Sequence, residues 1–168
     1  MNGLKAPNAS KRDAAARALG KMADRTGAEA LSAALRAEAD AGVRRTLVNA
    51  LVGAGGPVAR SAVFEALKDV DGEVRLVAAR GLPELSPTPS RPEASQIVAA
   101  VRPFLDHSEA RARMDAVSLL GKLGQASDRA AIKARLKDAD EYVRRTAEDA
   151  LKELDERTAK ESPRPKRN

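Results

Sequence analysis

Five stretches of the chain superimpose on one another: "KRDAAARALG" from Lys11, "VRRTLVNALV" from Val43, "VRLVAARGLP" from Val74, "ARMDAVSLLG" from Ala112 and "VRRTAEDALK" from Val143. Their shared arginines, Arg12, Arg44, Arg75, Arg113 and Arg144, are 32, 31, 38 and 31 residues apart. No other feature constrains the fold as strongly. A unit of this length is one supersecondary element, too small to bury its own apolar face, so neighbouring units must stack to make a core. The one long interval contains "ELSPTPSRPEAS", whose prolines and serines predict an enlarged surface loop that leaves the frame of the repeat intact.

With the residue before each shared arginine counted as zero, apolar residues fall at positions 0, 4, 7 and 8, as in Val143, Ala147, Ala150 and Leu151. At about 100° per residue these cover a stripe roughly 100° wide, the signature of an amphipathic helix on a core. Asn8, Asp40, Asp71 and Asp140 stand three residues ahead of the stripe, where helix N-caps belong, and Glu109 takes that place in the fourth unit. Shorter amphipathic segments lie between: "GAEALSAALRA", "PVARSAVFEALKD", "EASQIVAAVRPFL" and "SDRAAIKARLKD". Pro57 after Gly55-Gly56 suits a first helical turn, Ser127 suits a cap, and Pro103 should tighten or kink the end of its helix. The expectation is all-α: a right-handed α-solenoid of about four and a half helix-turn-helix units. It forms a single domain over residues 1–161, with second helices near 9–24, 40–53, 71–85, 109–123 and 140–160. Residues 162–168 are expected to be a disordered basic tail.

"LKDVDGEVRLVAARGL" from Leu67 and "LKDADEYVRRTAEDALKEL" from Leu136 resemble HEAT repeats of the short bacterial kind also found in phycobilisome-lyase-like proteins. The likeness extends over residues 4–155. In the first unit Lys11 replaces the usual aliphatic residue and the leading helix shrinks to "NGLKAP". The resemblance implies an armadillo-like helical array whose second helices line the concave side, and a scaffolding or protein-binding role.

Position 1 lies at the flank of the stripe, so Arg12, Arg44, Arg75, Arg113 and Arg144 should form a structural ladder between repeats. Their expected partners are acids of the inter-helix turns such as Asp69, Asp71, Asp138 and Asp140. Taken as partly exposed pairs, these are worth about 0–1 kcal/mol each and would set register more than stability. Positions 2, 5 and 6 point away from the stripe, onto the face that the resemblance makes concave. That face carries Arg45, Val48, Asn49, Leu76, Ala79, Arg80, Met114, Val117 and Arg145, an apolar strip with basic borders. Two readings of it stand open: a partner-binding surface, or a strip that a tightly curved array covers with its own side chains.

Catalytic chemistry has little to work with. The chain has no cysteine and one histidine, His107, in the turn "LDHSEAR". No His-Glu dipeptide is present, such as the related di-iron hydroxylases carry, and there is no tryptophan with which a glycosylase of this architecture would surround a lesion. No metal or other cofactor is expected. The formal charge of +6 sits at the ends. Residues 1–25 hold six cations against two carboxylates and residues 157–168 five against one, which leaves the body between them slightly acidic. The leading expectation is a non-enzymatic scaffold for a protein or peptide. A bilin-lyase-like enzyme or accessory subunit is the alternative, and non-specific nucleic-acid binding through the basic termini the next. No segment suits a bilayer or a secretory signal, so the chain is expected to be cytoplasmic. The weakly capped first unit predicts a monomer or a weak homodimer.

Overall fold

The computed structural model describes residues 2–21, 25–86 and 88–161, the side chains of Arg25 and Glu161 excepted. The helices, in chain order, are α1 (Ala9–Gly20), α2 (Arg25–Ala37), α3 (Ala41–Ala54), α4 (Gly56–Glu65), α5 (Gly72–Leu85), α6 (Arg91–Val101), α7 (Ala110–Leu123), α8 (Arg129–Ala134) and α9 (Glu141–Glu161). No strand occurs among the described residues. The odd-numbered helices carry the five repeated stretches. Met22–Asp24, expected to continue the first of these, and residues 162–168 lie outside the described residues.

The starts of these helices follow from the need to satisfy the amide groups that a first turn leaves open. Asn8 accepts from the Lys11 amide, Asp40 from Val43, Asp71 from Val74 and Asp140 from Val143, at 2.9–3.3 Å. Glu109 precedes α7 without such a bond. Gly55 and Gly56 take φ of 70° and 80°, a region costly for other residues, and Pro57 follows them in the first turn of α4. The ends of α4, α6 and α8 tighten into 3-10 turns at Ala66–Lys68, Arg102–Asp106 and Arg135–Lys137, and Pro103 falls within the second. The expected leading helix of the first unit is reduced to a 3-10 turn, Asn2–Lys5. Ser127 is not the cap it resembles. A 3-10 turn spans Ala126–Asp128, where the Asp128 carboxylate accepts from the Gln125 amide at 2.8 Å, and α8 begins only at Arg129. Pro83 lies inside α5, which nonetheless runs on to Leu85.

The chain divides into two compact units, Met1–Pro89 and Ser90–Asn168. In the first, α1, α3 and α5 lie side by side, while α2 and α4 pack on them and on each other. In the second, α7 lies against α9, with α6 on α7 and α8 on α9. The stripe residues form the cores. Val43, Leu47 and Leu51 of α3, Val74, Ala78 and Leu82 of α5, Ala112, Ala116 and Leu120 of α7, and Val143, Ala147 and Ala150 of α9 are all buried. A buried leucine or valine of this kind contributes about 1.5–3 kcal/mol.

Size matching sets how closely neighbouring second helices approach. Gly20 of α1 meets Ala50 of α3, and Gly121 of α7 meets Ala150 of α9; a methyl on either glycine would stand 2.8 Å or less from the alanine Cα. These are positions 9 and 7 of successive repeats. Between α3 and α5 the same positions hold Val52 and Gly81 with the sizes reversed, and a methyl on Gly81 would meet a Val52 methyl at 2.4 Å. In α9 the exposed Glu148 and Lys152 stand where α3 has Val48 and Val52.

Candidate functional site

Each repeated arginine makes the same set of bonds to the backbone just upstream of its helix. One guanidinium nitrogen, Nη1, donates to the carbonyls six and five residues earlier: Ala6 and Pro7 for Arg12, Glu38 and Ala39 for Arg44, Asp69 and Val70 for Arg75, His107 and Ser108 for Arg113, Asp138 and Ala139 for Arg144. In three of them the other edge of the fork reaches the next repeat. Arg12 donates twice to Glu38, Arg44 twice to Asp69 and Arg113 twice to Asp138, all at 2.7–2.9 Å. The receiving carboxylate then accepts the amide two residues on, that of Asp40, Asp71 or Asp140. One arginine thus ties two successive turns together through a planar bidentate contact that lysine could not reproduce.

Two expectations about this ladder change. Asp71 and Asp140 cap helices, while Asp69 and Asp138, two residues earlier, receive the arginines. The pairs are also better shielded than expected, with side-chain exposures of 12% and 13% for Arg44 and Asp69, so removing one partner costs more than at an exposed pair, because it strands a desolvated charge. The charges respond accordingly. Hydrogen bonds from Arg12 hold Glu38 below the usual carboxylate range, and those from Arg113 do the same for Asp138. Burial pushes Asp69 upward, but the bonds from Arg44 and the Asp71 amide and the charge of Arg44 outweigh it and leave it lowered. His107, in the turn where the sequence puts it, occupies the carboxylate's place in the fourth turn, and its Nδ1 accepts from the Glu109 amide at 3.1 Å. Its ring also lies 5.6 Å from that of Phe104.

The outward face divides into two kinds of residue. Val48, Ala79 and Val117 are fully buried and Leu76 nearly so, which corrects the expectation that they form an exposed apolar strip. The physical reason is plainest for Val48: α3 is flanked on one side by α1 and on the other by α5, so its buried arc is wider than a single stripe. Met114 is half-buried, whereas Arg45, Asn49, Arg80 and Arg145 are exposed. In the Met1–Pro89 unit, Arg45 and Asn49 border a groove of about 490 Å³ with Ser10, Asp13, Arg17 and Asp40. Val43 and Val77 contribute to its lining. Asp13 is occupied, held below its usual range by hydrogen bonds from Arg17 and from the Thr46 hydroxyl.

A larger groove of about 920 Å³ lies between α2 and α4, with Leu35, Pro57, Val58 and the 92% exposed Val70 in its lining. Among the described residues no group of three or more acids and histidines could hold a metal ion, and no helix is long and apolar enough to cross a membrane.

No curated protein sequence matches the chain. A chain of the complex of CpcE and CpcF of phycocyanin lyase from Nostoc sp. PCC7120 has a similar structure, with 24% identity and a TM-score of 0.67; the match covers 92% of this chain and 63% of that one. An engineered protein is similar at 20% identity and a TM-score of 0.61, over 91% of this chain and 76% of its own. At such identities the likeness speaks to the fold alone. The family model for HEAT repeats matches residues 1–83 and 61–152, and the chain belongs to the HEAT-repeat family.

Proposed function

We propose that the protein is a non-enzymatic binding module that holds a protein or peptide partner against the exposed residues of its second helices. The observation that carries this is a division of labour among arginines at adjacent positions. Arg44 is consumed by the ladder, with bonds to Asp69 and to the carbonyl of Ala39, whereas Arg45 beside it is exposed and makes no hydrogen bond or ion pair among the described residues. Arg144 and Arg145 repeat the contrast. Membership of a family of stacked helical repeats supports the same reading. A photo-crosslinking residue at Asn49 or Arg145 should trap a partner in cell extract, while the same residue at Pro57 or Val70, on the first-helix groove, should not. Trapping confined to the first-helix positions would refute the reading.

The likeness to a chain of the phycocyanin lyase complex supports a second reading, a lyase-like enzyme or accessory subunit. Incubation with a bilin and an acceptor protein tests it, and absorbance of a covalent adduct is the expected signal.

A further inference from the structure

We propose that the groove between α1 and α3 seats an acidic residue of an extended partner peptide, an inference that rests on the protein-binding reading above. Three polar side chains in its wall, Ser10, Arg45 and Asn49, are exposed and make no hydrogen bond or ion pair among the described residues. The other charged groups there are already engaged: Arg17 donates twice to Asp13, Thr46 donates to Asp13, and Asp40 accepts from the Val43 amide. Asn8 and Asp40 also take one first-turn amide each, those of Lys11 and Val43.

The unengaged groups define the ligand. Arg45 and Asn49 are four residues apart on α3 and so project from the same face, one turn from each other. Arg45 offers a planar fork that fits a carboxylate, and Asn49 offers an amide that can both donate and accept, the complement of a peptide unit beside it. Val77, half-buried, gives apolar surface to the methylenes of such a side chain. Charge favours a carboxylate over a phosphate. Arg17 and Arg45 balance Asp13 and Asp40, and Arg17 is paired with Asp13, so Arg45 alone is left to match a monoanion, whereas the second charge of a dianion would find no cation of its own in the lining.

Fluorescence anisotropy of the full chain with fluorescein-labelled hexaglutamate tests this at low salt. Saturable binding is expected, weakened about tenfold by Arg45→Gln and measurably by Asn49→Ala. Arg145→Gln, which removes an equally exposed arginine that lines no part of this groove, should leave it unchanged. Absence of saturable binding, or equal weakening by Arg45→Gln and Arg145→Gln, overturns the proposal, as does tighter binding of a phosphoserine hexapeptide. Arg45→Gln should melt with the parent, because Arg45 makes no hydrogen bond or ion pair among the described residues. If hexaglutamate fails while crosslinks at Asn49 and Arg145 persist, the acidic ligand is wrong and the binding module stands; if those crosslinks fail, the module reading falls with it.

Discussion

Replacing Arg44 by methionine isolates what one rung of the ladder contributes. The substitution keeps much of the aliphatic stem and removes four hydrogen bonds: two to the Asp69 carboxylate at 2.9 Å and two to the carbonyls of Glu38 and Ala39. Asp69, 13% exposed in the parent, then keeps only the Asp71 amide as a side-chain hydrogen-bond donor among the described residues. Stripping one partner from a fully buried pair costs about 3–5 kcal/mol; with water able to reach this rim, about 2–4 kcal/mol is expected. For a chain of this length that corresponds to a melting point lower by roughly 5–12 °C, measured by circular dichroism at 222 nm and checked by urea titration. The double variant Arg44→Met with Asp69→Leu removes the stranded charge as well. It should recover most of the loss, since an apolar pair of similar volume is often as stable as a buried ion pair. If the two single losses simply add in the double variant, the rung is not a coupled pair and the reasoning fails.

The lowered carboxylates give the fold an acid-labile component. Glu38, Asp69 and Asp138 have folded-state pKa values below their unfolded ones, so their stabilisation is complete above the ordinary carboxylate range, near pH 4, and fades as pH falls through the lower folded values. Asp69→Asn should reduce stability at neutral pH and flatten its decline in acid; an unchanged acid profile would remove Asp69 from the account. Gly121→Ala should destabilise by about 1–3 kcal/mol through overpacking against the Ala150 backbone, although alanine is the better helix former by about 1 kcal/mol. Gly81→Ala should be rescued in part by Val52→Ala, because there the obstacle is a side chain; equal damage with and without the second substitution would refute the size-matching rule. Nucleic-acid binding through the basic ends predicts an affinity that falls steeply with salt and drops on deleting residues 162–168, read by gel shift. A salt-independent complex would argue against it.

How far the sequence reaches can be followed along α3. Its limits and its buried stripe were legible because Val43, Leu47, Ala50 and Leu51 keep a helical period and Asp40 stands at the cap. The ladder was legible in kind, from an arginine recurring every repeat, but its rung was not, because each turn offers two acids and spacing alone does not separate the cap from the receiver. Register does: about 25 residues run from each arginine to the carboxylate it holds, as from Arg44 to Asp69 and from Arg113 to Asp138. Val48 points outward on a helical wheel, which treats burial as a matter of one partner, whereas α3 has a neighbour on each flank, α1 and α5. That neighbour had left a trace in the sequence, the small residue at position 9 or 7 in Gly20, Gly81 and Gly121, which marks close approach along the row. Once both flanks are assigned to packing, the outward arc of α3 narrows to positions 2 and 6. Those positions hold Arg45 and Asn49, so the same correction that removes the apolar strip concentrates any recognition by this helix on a cation and an amide one turn apart.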